Sequence, residues 1–238
     1  NQSIAGDGGG IHCKSKSSPH ITSSIISNNR ALNGSGVMCH NSSNLNIINC
    51  LIVNNRAQIR GGGILCDVNS SPTFINCTVF GNRAERGGGG YVQSGSSPTI
   101  INTIFWSDSP QEIYFGVGRP SVISISYSDV QGGEAGIITN DNGSVNWGDG
   151  NIRTSSVIPD SDPLFVDVIN GDYRLLDDSL CIGMGMVVDV SNDIVGNVRG
   201  IPPDIGAYEN ALNSRRVTTI RVPPVSYTHL TLPTKREV

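Results

Sequence analysis

Three arginines recur at one position of a repeated sequence, and they are the residues of this chain best suited to bind an anion. Arg30, Arg56 and Arg83 each follow an asparagine and are spaced 26 and 27 residues apart. A guanidinium group forms paired hydrogen bonds with a carboxylate, so a row of them would bind acidic sugars. The alternative is a solvated edge whose arginines bond to carbonyl groups of neighbouring turns. Trp106 is expected to point outward, where its ring would stack on a sugar or cover a neighbouring turn.

Residues that could carry catalysis are scarce. His12, His20 and His40 are the histidines of the repeated region, and no Gly-x-Ser-x-Gly sequence accompanies them. Polysaccharide hydrolysis needs two carboxyl groups, and elimination needs a base together with charge neutralisation. The acidic residues noted in the repeated region stand at unequal repeat positions: Asp7, Asp67, Glu85 and Asp108. This pattern weakens, without excluding, the interpretation as an enzyme, and it assigns no catalytic residue.

Metal binding is only weakly indicated. The chain lacks the Cys-x-x-Cys and His/Cys spacings that are typical of zinc sites. Calcium takes about six to eight oxygen ligands. The carboxylates that could supply some of them are Asp141, Asp149, Asp160, Asp162, Asp167 and Asp172. They form no Asp-x-Asp-x-Asp-Gly loop, so we expect no resident cofactor and keep calcium as an alternative.

The arginines belong to a repeat that must also position them. Its cysteine position recurs at residues 13, 39, 66 and 93. A fixed period of this length is typical of solenoids, because one copy is too small to bury its own apolar side and copies must stack. Short apolar runs bounded by Gly, Pro, Ser and Asn indicate three strands per coil. Alternation places Ile11 and Cys13 inside. The positions expected to point outward are His12, Met38, Leu65 and Val92.

A parallel β-helix satisfies every repeated position at once. Equivalent residues of successive coils would stack about 4.8 Å apart. Asparagines at one corner would then bond to each other and to the turn backbone. A leucine-rich repeat is disfavoured because regular leucines and a helix are missing from the sequence pattern, and a β-sandwich would not require identical residues at a fixed period.

The same stacking would bring cysteines together. Cys13, Cys39 and Cys66 share one repeat position, and Cys50 and Cys77 share another. Cysteines in register are close enough for a disulfide, but their parallel Cβ vectors fit that bond poorly. We expect inward free thiols that fill space as small hydrophobic groups. One or more disulfides, or a metal site, are the alternatives.

Composition narrows the class of protein. The chain has 238 residues, a formal net charge of −4, 29 glycines and 15% charged residues. This is a turn-rich β composition, and the negative charge argues against nucleic acid as a partner. No apolar run reaches the length of a membrane-spanning helix, and no signal-peptide pattern is visible. We expect a monomer.

The repeat resembles a known family. Residues 61–84 contain Gly-Gly-Gly-Ile-Leu-Cys and then Ser-Ser-Pro-Thr-Phe-Ile-Asn-Cys-Thr-Val-Phe-Gly-Asn-Arg-Ala. This phrasing resembles the right-handed parallel β-helix repeats of bacterial surface proteins and is similar to repeats of chlamydial polymorphic outer-membrane proteins. The resemblance covers residues 1–130 and implies a right-handed coil. Enzymes with this fold are mostly polysaccharide lyases and hydrolases.

The C-terminal region resembles the "choice-of-anchor Q" region that closes many secreted bacterial β-helices. The motifs that carry this resemblance are, in chain order, Asp162-Pro-Leu-Phe-Val-Asp167, Gly171-Asp-Tyr-Arg-Leu-Leu176, Ser179-Leu-Cys-Ile-Gly183, Asp193-Ile-Val-Gly-Asn-Val-Arg199 and Asp204-Ile-Gly-Ala-Tyr-Glu209. Leu180 and Gly183 stand where the family has Pro and Asp, so no role of that Asp is carried over. The resemblance implies export, with an anchor or sorting signal just beyond this region.

These observations predict an all-β chain with four parts. They are parallel β-helix repeats (1–130), a loop-rich continuation (131–160), a choice-of-anchor Q-like, β-rich C-terminal cap (161–211) and a disordered tail (212–238). The stretch 131–151 is expected to form a long loop off the solenoid. Residues 225–238 resemble a translated sequencing adaptor, the alternative being a genuine polar tail.

The function predicted from these features is a non-catalytic scaffold or adhesin-like module, extracellular or on a bacterial surface. It would contact acidic glycans through Arg30, Arg56, Arg83 and Trp106. The alternative is a polysaccharide lyase or glycoside hydrolase whose groove has residues 131–151 as its wall.

Overall fold

The computed structural model describes residues 2–152 and 162–212, with side chains from residue 6 onward. Asp160 and the predicted disordered tail beyond Leu212, with its adaptor-like residues 225–238, lie outside the described residues. Within the described ranges the chain forms short strands joined by turns, together with one 3₁₀ helix, Gly133–Gly136.

The strands are three to six residues long, with a few pairs of residues. Up to residue 80 they are β1 (Gln2–Asp7), β2 (Ile11–Lys14), β3 (His20–Thr22), β4 (Ile25–Ser27), β5 (Arg30–Asn33), β6 (Val37–His40), β7 (Asn46–Ile48), β8 (Leu51–Val53), β9 (Arg56–Arg60), β10 (Ile64–Asp67), β11 (Thr73–Ile75) and β12 (Thr78–Phe80). Beyond it they are β13 (Gly90–Val92), β14 (Thr99–Ile101), β15 (Ile104–Trp106), β16 (Ile113–Phe115), β17 (Ser121–Ser126), β18 (Asp129–Val130), β19 (Ile137–Ile138), β20 (Gly143–Trp147), β21 (Phe165–Asp167) and β22 (Asp172–Leu175).

Parallel pairing arranges these strands as a solenoid, which confirms the predicted β-helix. Sheet I has the order β2-β6-β10-β13-β16-β19, sheet II β3-β7-β11-β14-β17-β20, and sheet III β4-β8-β12-β15-β18. One strand from each sheet makes a coil, so coil 1 is β2–β4, coil 2 β6–β8, coil 3 β10–β12, coil 4 β13–β15 and coil 5 β16–β18. A short sheet IV, β1-β5-β9, adds a fourth strand to the first coils, where three strands per coil were predicted.

The register of the fourth copy differs by one residue from the predicted one. Cys66 pairs with Cys39 on one side and with Val92 on the other. Val92 therefore continues the inward cysteine row, and the prediction that it points outward is wrong. The fourth copy has four consecutive glycines, and the first of them, Gly87, takes the positive φ of 63° that Gly61 takes at 65° in the copy before. Aligning the last three glycines shifted the copy by one position.

Outward residues of sheet I are less exposed than expected. Met38, Leu65 and Tyr91 point away from the core, yet they are buried because they cover one another along the ladder. Tyr91 also stacks on Tyr114, with ring centroids 5.6 Å apart. A solenoid places equivalent side chains next to each other on its outside as well as its inside.

The solenoid continues past residue 130, so the prediction of a long loop at 131–151 is wrong. β19 pairs in parallel with β16, and β20 pairs with β17 over five residues. Val145 and Trp147 alternate inward along β20 and pack against the core. This period-two pattern is short and surrounded by glycine and polar residues, which hides it in the sequence.

The six cysteines are buried free thiols. Cys13, Cys39 and Cys66 are in register within sheet I. They belong to the apolar core together with Cys50 and Cys77. Burial raises the pKa of the Cys39 thiol to about 12, so the reactive thiolate is suppressed at neutral pH.

The C-terminal segment, residues 162–212, lies along the outer face of sheet III. Its strands β21 and β22 form an antiparallel pair. Leu175, Ile182 and Ile205 pack against Ile104 and Trp106 of β15. A neighbouring cluster joins Tyr173 and Ala207 to Leu51 and Val53 of β8. The region predicted as a cap therefore covers the side of the solenoid.

A buried arginine fixes this segment to the solenoid. The Arg199 Nη1 atom lies 3.2 Å from Glu209 Oε2, and both side chains are almost fully buried. Arg199 Nη2 donates to Asn49 Oδ1 of coil 2 at 2.9 Å. Glu209 in turn accepts hydrogen bonds from the backbone N–H groups of Gly200 and Asp204. Removing the cation would leave a buried carboxylate without its counter-charge, which is strongly unfavourable.

We expect Cys66 and the other five thiols to be unreactive toward a thiol reagent in the folded protein and reactive in denaturant, because burial raises the pKa of each thiol. Thiol titration with and without guanidinium chloride measures this. If protein denatured without a reducing agent shows fewer than six reactive thiols, disulfides form and the prediction of free thiols is contradicted.

We expect Arg199→Ala to lower the free energy of unfolding by about 3 to 5 kcal/mol, since it leaves Glu209 buried and unpaired. Urea unfolding followed by circular dichroism measures the change. The matched control is Arg174→Ala, which removes an arginine that is 64% exposed in its pair with Asp172 and should leave the midpoint nearly unchanged. Equal effects of the two substitutions would contradict the fixing role of Arg199.

Candidate functional site

The three repeated arginines form a ladder across coils 1 to 3. Arg30 pairs with Arg56 in sheet IV, and Arg56 pairs with Arg83 through an isolated parallel bridge. Ala31 and Ala57, the residues that follow, are buried. Because side chains alternate along an extended backbone, buried alanines place the preceding arginines on the outside. In the next coil the row continues with Ser109, which is uncharged, so the row of positive charges ends at Arg83.

The charges of this arginine ladder are not compensated by neighbouring acids. All three side chains are exposed. Among residues 6–152 and 162–212, the ion pairs are Arg174–Asp172 and Arg199–Glu209, and neither includes the ladder. Like charges on strands about 4.8 Å apart repel, and a bound anion would relieve that repulsion. The ladder therefore has the electrostatics of an anion-binding strip.

A groove accompanies the first two arginines. Asn28, Arg30, Asn54 and Arg56 line an open depression of about 320 Å³. Asn28 and Asn54 adopt positive φ values of 56° and 57°, the left-handed conformation of turn residues at this corner. The guanidinium donors of this depression can bind carboxylate and hydroxyl oxygens, whereas Asn54 Nδ2 already donates to the Tyr173 hydroxyl at 3.2 Å.

A second arginine row, missed in the sequence, lies on the same side of the solenoid. Arg60 and Arg86 are bridged in parallel. The Arg60 guanidinium is held by Asn33 and Gln93, with N···O distances of 3.1 Å to each, and lies 5.7 Å from the Tyr91 ring centroid. The signal was an arginine three residues after Ala57 and two residues after Ala84, obscured by this unequal spacing and by its lack in the first copy.

Trp106 does not contribute to an exposed surface. Its side chain points outward from sheet III as predicted, but it is only 6% exposed because Leu175 and Ile182 of the C-terminal segment pack over it. Its predicted role as a sugar-stacking residue is therefore wrong for this structure. The sequence could not reveal the covering segment, since the contact joins residues distant in the chain.

The three histidines of the repeated region, His12, His20 and His40, lie on two different sheets. His12 and His40 lie on sheet I, and His20 lies on sheet II. Partial burial and Lys14 lower the pKa of His12. His20 contacts Asn46, with 3.5 Å between Nδ1 and Nδ2. Within residues 6–152 and 162–212, none of these three histidines makes a hydrogen bond or an ion pair with a carboxylate.

The carboxylates that could bind calcium serve local turns. Asp162, Asp167 and Asp172 each accept hydrogen bonds from residues two or three positions further along the chain. Across the part of the chain with described side chains, no three acidic, histidine or cysteine side chains gather as a metal site would require. Calcium remains a prediction without a set of ligands.

Two acidic residues do meet, and one of them was overlooked in the sequence. Asp108 and Glu112 are 7% and 6% exposed, and the Asp108 N–H donates to Glu112 Oε1 at 3.0 Å. They lie in the wall of the solenoid, where a polysaccharide could not reach them. The signal was an Asp in place of the repeated Asn, followed four residues later by a Glu in place of a repeated Gly.

Comparison with known proteins agrees with this architecture. Residues 1–105 match the family model described as "Right handed beta helix region". The match agrees with the parallel ladders of the structure, and both describe a right-handed parallel β-helix fold. No curated protein and no solved structure matches it. Among the described residues, no helix is long and apolar enough to cross a membrane.

We expect Arg56→Ser to raise the urea midpoint at low ionic strength, because it removes the middle charge of the ladder and leaves the residue type that Ser109 supplies beyond Arg83 in the same row. The gain should vanish in about 1 M salt, where the Debye length falls to about 3 Å. The control is Lys16→Ser, an exposed lysine at a turn. A salt-independent difference, or the same gain in the control, would contradict repulsion within the ladder.

Proposed function

We propose that this chain is a non-catalytic, extracellular β-helix module that binds linear acidic polysaccharides along its arginine ladder. The observation that carries the proposal is the register of Arg30, Arg56 and Arg83 on successive coils, exposed and outside the ion pairs of the described residues. Carboxylate- or sulfate-bearing sugars are the ligands whose charge complements such a strip.

The spacing of the ladder favours a polymer over a single sugar. Guanidinium groups recur at about 4.8 Å along the solenoid axis, a distance comparable to the length of one sugar unit. A chain with a charge on each unit, lying parallel to the axis, would meet one arginine per coil. Arg60 and Arg86 supply further positive charge on the same side. Binding would then strengthen with ligand length until the ladder is spanned.

The arrangement of acids favours binding without turnover. Hydrolysis would need two carboxyl groups flanking an accessible groove, whereas Asp108 and Glu112 are buried. Elimination would need a base close to the bound anion, and His12, His20 and His40 belong to other sheets than the ladder. A rigid solenoid with one charged strip suits a scaffold or adhesin-like role at a cell surface.

The proposal is tested by retention on immobilised heparin and polygalacturonate, with neutral mannan as the negative ligand. We expect Arg30→Ser combined with Arg56→Ser and Arg83→Ser to weaken affinity at least about tenfold, since charge-assisted contacts are lost. The charge-matched control is Lys14→Ser combined with Lys16→Ser and Arg119→Ser, which removes three cations elsewhere. Retention should fall with salt in the unmodified protein.

Two results would overturn the proposal. Equal weakening by the two triple variants would mean that net charge, and not the ladder, governs retention. Release of unsaturated products or reducing ends from pectin, alginate or chondroitin, abolished by Arg56→Ser, would favour the alternative of a polysaccharide lyase or glycoside hydrolase.

A further inference from the structure

An asparagine ladder runs inside the corner beside the arginines. Asn55 Oδ1 accepts hydrogen bonds from the N–H and Nδ2 of Asn29, at 3.0 and 2.9 Å. Asn82 accepts the same pair from Asn55, and Asp108 Oδ1 accepts it from Asn82 at 2.6 and 2.9 Å. Each side chain thus satisfies the backbone of the coil before it, and the row ends in a carboxylate where the repeat has an amide.

Glu112 closes this ladder because the next coil cannot. The pairing of Phe105 with Val130 places Gly133 at the following ladder position, and glycine has no side chain to offer. The Asp108 N–H is satisfied instead by Glu112 Oε1. Earlier coils have glycine at the position of Glu112, and a Cβ at Gly63 would lie 2.7 Å from the Gly89 carbonyl oxygen and 3.0 Å from Asn82 Nδ2. The backbone of the following coil and the ladder both crowd this position, and Glu112 is the first residue with a side chain to occupy it.

The closure brings two carboxyl groups together with too few donors. Asp108 Oδ2 and Glu112 Oε2 are buried and receive no hydrogen bond from an N–H or hydroxyl group of the described residues. The two carboxyl groups are close enough for each to shift the pKa of the other. Two ionised carboxylates in this position would repel in a water-poor setting, whereas one added proton converts the contact into an O–H···O⁻ bond.

We propose that the Asp108–Glu112 pair binds one proton that closes the asparagine ladder at neutral pH, so that alkaline conditions loosen the junction of coils 4 and 5. The bond that forms is from one carboxyl O–H to the partner carboxylate. At high pH the covalent O–H bond of that carboxyl group breaks, its proton goes to solvent, and the hydrogen bond between the two side chains is lost.

The surroundings favour retention of the proton. Burial raises the pKa of Asp108. Burial, followed by repulsion from Asp108, raises the pKa of Glu112, and Asp129 on β18 adds to the repulsion. Asn82, the other polar side chain at the pair, carries no charge. Since the pKa of each carboxyl is higher in the folded state than unfolded, the stabilisation is complete below about pH 4 and is lost as pH rises.

The test compares urea unfolding of the unmodified protein with three variants between pH 5.5 and 8.5. Asp108→Asn restores the amide of the repeat, whose Nδ2 can donate to Glu112 without an added proton. Glu112→Gln supplies a donor from the other side. While the folded state holds one proton more than the unfolded state, the unfolding constant should rise about tenfold per pH unit. Both substitutions should remove this tenfold rise of the unfolding constant per pH unit. The exposed control Glu85→Gln should retain it.

Comparison with the variants cancels other groups that titrate in this range, such as Asp204, whose pKa burial raises to about 6. Infrared spectroscopy at pH 8 gives a second readout that does not require the variants to be stable. A protonated carboxyl band in the unmodified protein, missing from either variant that folds, supports the shared proton. Lack of that band at pH 8, or equal pH dependence of stability in Asp108→Asn and the unmodified protein, would overturn the proposal.

Discussion

Backbone hydrogen bonding between successive coils is the constraint on which this structure depends. Parallel pairing in register places each residue about 4.8 Å from its equivalents above and below. A residue type at a repeat position must therefore be compatible with copies of itself. Asparagine meets this requirement because its amide both donates and accepts, as in the bond from Asn29 Nδ2 to Asn55 Oδ1. Isoleucine and cysteine meet it by filling space. Stacked arginines repel one another, so an arginine ladder without neighbouring acids is a candidate binding site for an anionic ligand.

The period, the sheet faces and the asparagine ladder could be predicted from sequence because they follow from local pattern and self-stacking. Errors arose where the repeat is degenerate. Four glycines at 87–90 allowed a slip of one residue, and the alternation of Val145 and Trp147 was too short to stand out. Glu112 was missed because its role depends on the lack of a side chain at Gly133, one coil further on. The prediction that Trp106 stacks on a sugar was wrong for a similar reason, since the residues that cover its ring come from a segment remote in the chain.

Two rows of asparagines in this solenoid serve different purposes. The row through Asn55 and Asn82 is internal and links coils to each other. The row through Asn49 and Asn102 turns its amides toward the C-terminal segment, where Asn102 exchanges two hydrogen bonds with the backbone of Met186. Regular corners thus provide both the cohesion of the solenoid and a set of fixed sites for an irregular segment.

The sideways attachment of that segment has a mechanical consequence. It is bonded to coil 2 through Asn49, to coil 3 through Thr78 and to coil 4 through Asn102. A pulling force applied at residue 212 would therefore load three coils at once, in shear. Peeling strands one by one from an open end would break hydrogen bonds in sequence, whereas shear must break the contacts of several coils together. The segment therefore distributes an applied force over coils 2 to 4.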